Sequence, residues 1–99
     1  DIPRMAEIVQ TMTSEGIASY INENVERAYR MAKMDDEVDH LHGQILREMF
    51  VFMAENPKNV NQVLNLCFVS RYLERFADHA TNIGESVVYL VKGERPDLN

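Results

Sequence analysis

The chain has 99 residues, 45% hydrophobic and 26% charged, with no low-complexity tract, which predicts one folded domain around a single modest core. Its net charge of −6 and pI near 4.9 argue against nucleic acid, whose phosphates draw their affinity from Lys and Arg, and favour a cation or a basic protein surface as partner. Charged or amide residues interrupt every apolar run, including "MFVFMA", so no stretch reaches the ~20 apolar residues of a membrane span, and no signal-peptide pattern is visible.

Pro3 suits a first helical turn, after which Met5, Val9, Met12, Ile17, Ile21, Ala28 and Met31 trace an irregular helical stripe. This predicts a first helix ending near Lys33 and bent near Gly16. Asp35 or Asp36 then offers an N-cap for a second helix, in which Val38, Leu41, Ile45, Met49 and Phe52 recur at steps of three and four as far as about Glu55.

"ENPKN" is the clearest turn, because Pro57 disfavours helical geometry at Asn56 and lacks an amide donor. A third helix follows, with Leu66, Val69, Leu73, Phe76, Ala80, Ile83, Val87 and Leu90 holding the period to about Lys92; Gly93 caps it and Pro96 prevents continuation. No stretch alternates long enough for a strand. The expected fold is all-α, an antiparallel up-down-up three-helix bundle of the spectrin-repeat kind, with "GERPDLN" as a polar tail or linker.

Cys67 has no partner for an internal disulfide and sits among Leu66, Phe68 and Val69, which predicts a buried thiol and a cytoplasmic protein. Phe50, Phe52, Phe68, Phe76 and the methionines are expected in the core. The consecutive apolar residues of "MFVFM" cover more than one face of the second helix, so part of it is a candidate contact with a second copy or another partner, and a homodimer is expected.

The candidate chemistry lies in two acidic pairs. Glu74 and Asp78 are four apart on one face of the third helix, and Asp35 and Asp39 repeat the spacing on the second. Counted outward from the Pro57 turn, Asp39 lies about 18 residues back and Glu74 to Asp78 about 17 to 21 forward, so antiparallel packing at ~1.5 Å per residue brings the pairs to one height. Four carboxylates there repel one another unless a cation neutralises them or their pKa values rise. An all-oxygen set suits Mg²⁺, Ca²⁺, Mn²⁺ or iron, and His42, one turn after Asp39, adds a nitrogen.

Other readings stay open. The acids also fit an ordinary solvated face, or a salt-bridge network with Arg71 and Arg75. Asn82 and Glu85 extend the acidic stripe as further ligands or supporting groups, while His40 and His79 read as surface residues. Gly84 would cost about 1 kcal/mol against Ala within a helix, which points to a close helix contact. An Asp39-x-x-His42 pair also allows a di-iron carboxylate enzyme, although such bundles draw ligands from four helices. No nucleophile elbow or glycine-rich phosphate loop is present, so hydrolysis is not expected.

"RYLERFADHATNIGESVVYLVKGE" resembles the closing segment of the PhoU family of bacterial phosphate-uptake regulators, and "MDDEVDHLHGQI" resembles that family's acidic stretch in the preceding helix. The tail motif is fairly specific; the first half is generic helix, and Phe76-Ala77 stands where the family most often has Ile-Gly. The resemblance implies that the chain is one PhoU-like three-helix domain, residues 1–99, the second of a tandem pair. The start "DIPRMAEIV", without an initiator Met, also reads as cut from something longer or processed.

The resemblance further implies that Asp35, Asp39, Glu74 and Asp78 bind a multinuclear cluster of iron or zinc, with Mn or Mg as alternatives. The implied role is a non-enzymatic adaptor that represses phosphate-starvation genes by contacting the ATPase of the phosphate transporter and a membrane sensor histidine kinase.

Overall fold

The computed structural model describes residues 1–93. Among them there is no strand; three helices, α1 (Ile2–Asn22), α2 (Val25–Glu55) and α3 (Val60–Lys92), each touch the other two, and a single 3-10 turn, Pro57–Asn59, joins α2 to α3. The bundle measures 53 × 20 × 16 Å, its length matching a 33-residue helix at ~1.5 Å per residue. No helix of the described residues is long and apolar enough to cross a membrane.

The boundary between the first two helices differs from the sequence expectation. α1 stops at Asn22, not near Lys33, and Asp35 and Asp36 lie inside α2 instead of capping it. Glu23 turns left-handed at φ 51°, its amide donating to Tyr20 O at 3.4 Å while the amide of Asn24 donates to Ser19 O at 2.9 Å. That pair of bonds is a Schellman closure, usually built on Gly. Asn24 also caps α2, its Oδ1 accepting from the amide of Arg27 at 3.0 Å. Gly16 makes no break in α1: it is buried, and a Cβ there would sit 3.5 Å from Met31 Cε and 3.6 Å from Ala80 O.

The Pro57 turn, the end of α2 at Glu55 and the end of α3 at Lys92 fall where expected, with Gly93 left-handed at φ 76°. Pro96 and most of the polar tail lie outside the described residues.

The main core packs Met5, Ile8, Val9 and Met12 of α1 against Met31, Val38 and Ile45 of α2 and Ala77 and Ala80 of α3. A smaller cluster of Ala28, Val87 and Val88 fills the other end. The face that α3 buries carries the small or polar residues Ser70, Ala77, Ala80, Thr81 and Gly84 together with Val63, Val87 and Val88; Thr81 returns its hydroxyl to Ala77 O at 3.0 Å.

Met5, Met12 and Met31 are in the core as expected, but other large residues expected there lie elsewhere. Phe50 is 64% exposed, Phe76 60% and Ile21 71%; Ile17, Phe52, Leu66, Phe68, Val69 and Leu90 are exposed as well, and Cys67 is half-buried. The reason is geometric: a three-helix bundle gives each helix one narrow inward stripe, and small residues already fill that of α3.

Two ion pairs fasten α1 to α2. Arg4 reaches Glu37 at 3.1 Å, and Arg27 clasps Glu15 with two guanidinium nitrogens. The hydrogen bond from Arg27 holds the Glu15 carboxyl below its ordinary value.

Candidate metal centre

α2 and α3 meet in the register that the Pro57 turn implies. Asp35, Asp39 and His42 follow one another along α2, and Ser70, Glu74 and Asp78 run the opposite way along α3. Cross-helix pairs follow: Glu74 and Asp78 both act on Asp39, and Asp78 and Glu74 both act on Asp35. All four predicted acids share one electrostatic neighbourhood.

Asp35 is the most constrained of them. The residue is only 6% exposed, and its Oδ1 is buried without a hydrogen-bond partner. Burial, then the charges of Asp39 and Asp78, then those of Asp36 and Glu74, push its carboxyl up from 3.8 to about 6. Asp39, on the exposed rim, is raised as well, first by partial desolvation, then by the charges of Glu74 and Asp78 and by a hydrogen bond with Glu74. An unpaired buried carboxylate oxygen costs free energy, and neighbouring acids add to that cost.

His42 lies beside the acids. Its Nε2 is 4.0 Å from Glu74 Oε2, and its Nδ1 is 2.6 Å from the Ser70 hydroxyl, which is also 3.4 Å from Met5 Sδ. Ser70 and Met5 carry no sequence signal of a site; Ser70 stands one turn before Glu74 in an apolar run and reads there as a neutral helix residue.

Of the remaining candidates, Glu85 is half-buried farther along α3, and Asn82 is exposed, its carbonyl accepting from Ser86. Among the described residues, neither Arg71 nor Arg75 pairs with the acids; Arg75 lines an open recess of about 270 Å³ with Tyr72, Phe76 and His79. His40 is exposed, as expected.

Among the described residues, no three His, Cys, Asp or Glu side chains converge on one point as a closed chelate. The donor set nevertheless fits a cation in kind: oxygen acceptors from two facing helices, one of them orphaned, with an imidazole at the edge. Closing around an ion requires the exposed Asp39 and Asp78 to turn inward.

The PhoU domain family model matches residues 2–87. A phosphate-specific transport system accessory protein PhoU homolog of Clostridium acetobutylicum is 38% identical over the whole chain, which spans 45% of that protein. Its counterpart in Deinococcus radiodurans is 40% identical over 96% of the chain and 45% of its own length. The crystal structure of PhoU from Pseudomonas aeruginosa superposes with a TM-score of 0.89 at 36% identity, covering 93% of this chain and 44% of that one. The chain thus spans less than half the length of these relatives. With a three-helix bundle and a family match over nearly its full extent, the chain belongs to the PhoU family.

Proposed function

We propose that the protein is a metal-binding regulatory adaptor of phosphate transport and not an enzyme. Asp35, Asp39, Glu74 and Asp78 hold one or more cations, with iron and zinc the leading candidates and Mn or Mg the alternatives. The observation that carries this reading is the buried, unpartnered Oδ1 of Asp35 among four other carboxylates, an arrangement that a cation relieves directly. Bound there, a cation neutralises the seam and ties α2 to α3.

The adaptor role is supported by similarity, over nearly the whole of this chain and under half of theirs, to phosphate-specific transport accessory proteins. In this reading a cytoplasmic protein contacts the transporter's ATPase and a sensor histidine kinase and thereby restrains the phosphate-starvation response. The exposed aromatic and aliphatic side chains of α2 and α3 offer surface for such contacts or for a homodimer.

The deciding experiment is metal content by mass spectrometry on protein purified without chelator or metal-affinity resin, comparing wild type with Glu74→Ala/Asp78→Ala. Stoichiometric metal that disappears in the double variant supports the centre; equal trace levels in both remove it. Pull-downs from phosphate-replete cells test the adaptor role separately, and loss of both the ATPase and the kinase from the captured proteins ends it.

A further inference from the structure

Two rows of side chains climb the outward face of α3 in steps of four. Leu64, Phe68, Tyr72 and Phe76 make the first, and all of them are exposed. Arg71, Arg75 and His79 make the second and are exposed as well. Residues four apart on a helix stand one above the other and build a ridge, so these are adjacent ridges, one apolar and one basic. The open recess of about 270 Å³ is lined by Tyr72 and Phe76 from the first and by Arg75 and His79 from the second, which makes it the groove between them. Among the described residues neither arginine forms an ion pair.

We infer that this groove docks an amphipathic helix of another protein, apolar along one row and acidic along the next. This rests on the adaptor reading above and deepens it, naming the surface and the chemistry of the partner; it is independent of the cation. Four-step ridges of one helix seat between the four-step ridges of another at a crossing of about −50°, the commonest packing of helices. A large apolar side chain of the partner fills the recess between Tyr72 and Phe76, in the manner of a helix laid in a groove. Its carboxylates, one row over, meet Arg71 and Arg75, whose planar forks suit them. Beyond the arginines, Glu74 and Asp78 form the next ridge and repel the same carboxylates, which confines them to the basic row.

Charge decides between this occupant and two others. The chain carries a net charge of −6, so an anionic bilayer, which spreads its charge under the whole protein, is repelled by the rest of the surface. A second copy docked through the same face brings the same two arginines to one interface. An acidic helix meets only the rows it matches.

The test is fluorescence anisotropy with two labelled helical peptides of about 20 residues, each with Leu and Phe along one row, and with Glu along the next row in the first peptide and Lys there in the second. Wild type is expected to prefer the Glu peptide by about tenfold, and Arg71→Glu/Arg75→Glu to reverse that preference. Phe76→Ala should weaken both peptides by about tenfold. The altered side chains are exposed, and circular dichroism checks that the variants fold. NMR shifts on adding the Glu peptide should fall on the rings of Phe68, Tyr72 and Phe76.

Equal affinity of the wild type for the two peptides, or shifts confined to other residues, overturns the inference. Binding to phosphatidylglycerol vesicles that the charge reversal abolishes overturns it in favour of a membrane. A dimer in sedimentation equilibrium that Phe76→Ala dissociates overturns it in favour of a second copy. Protection of the three rings from solvent in the protein alone overturns it in favour of an occupant within the same chain. Pull-downs separate it from the adaptor reading: capture of the transporter ATPase or the kinase by wild type and equally by the charge-reversed variant sinks the inference alone, whereas capture of neither by wild type ends the adaptor reading and the inference together.

Discussion

The amide of Asn24 closes α1 on the carbonyl of Ser19 at 2.9 Å, and the side chain of the same residue opens α2. One residue serves two helix ends, so the reversal between them needs only Glu23 and Asn24. Replacing Asn24 with Ala removes the cap and should cost about 1 kcal/mol, read as a lower urea midpoint. Glu23→Gly should act oppositely: relief of the left-handed conformation is worth ~1 kcal/mol, partly offset by the freedom Gly adds to the unfolded chain.

Gly16 looks at first like a residue that must be small. A Cβ there meets its nearest neighbours at 3.5 to 3.6 Å, ordinary contact distance, so Gly16→Ala should raise stability by about 0.5 to 1 kcal/mol through helix propensity. Gly16→Leu should overpack the crossing with Met31 and Ile83 and cost roughly 1 to 3 kcal/mol. Thermal unfolding of the two variants should move in opposite directions.

The acidic seam sets a pH dependence with a definite sign. Asp35 holds its proton to about 6 in the folded chain against 3.8 ordinarily, so its contribution to stability is complete below the ordinary value and is lost as pH rises through about 6. Cation-free protein should therefore lose on the order of 1 to 2 kcal/mol from this group between about pH 4 and pH 7, the full shift being discounted for water at the rim. Asp39 acts in the same direction. Asp35→Asn should flatten the profile and raise the urea midpoint at neutral pH, whereas saturating Zn²⁺ should invert it by favouring the ionised carboxylates. Glu15 opposes the trend, since its lowered value adds stability above the ordinary range that is lost on acidification, but the pair is only half-buried and salt should weaken it.

Residue size and energetic importance are decoupled on this chain. Phe76→Ala should cost less than about 1 kcal/mol despite the large ring, because the ring is already mostly in water, while Met12→Ala should cost roughly 2 to 5 kcal/mol. Equilibrium denaturation of the two variants side by side checks the contrast.

The α2–α3 hairpin was legible because Pro57 marks its turn and two helices of known rise leave little freedom of register; that alone brings Asp39 level with Glu74 and Asp78. The α1–α2 boundary was hidden because Glu23 occupies a conformation its side chain disfavours, so "NEN" carries no Gly or Pro to announce it. The inward face of α3 was legible only in part. Ala80 and Val87 of the apolar stripe are buried, as is Gly84, but Leu66, Val69, Phe76 and Leu90 of the same stripe are exposed, and packing selected Ser70 and Thr81, which leave no hydrophobic signal. Ser70 was lost with that face, and the link from Met5 to His42 joins residues 37 positions apart, beyond the reach of local pattern.

That small-residue face also bears on how α3 keeps its place. Short side chains make shallow ridges, and the side chains opposite them include Met5, Met12 and Met31, which are unbranched and readily change shape. Such a surface discriminates weakly between neighbouring alignments of one helix along another. A buried polar contact discriminates strongly, because a slip of one turn strands both partners. The bond between His42 and Ser70 thus works as an index mark, fixing the longitudinal alignment of α3 where the apolar packing alone would tolerate a slide.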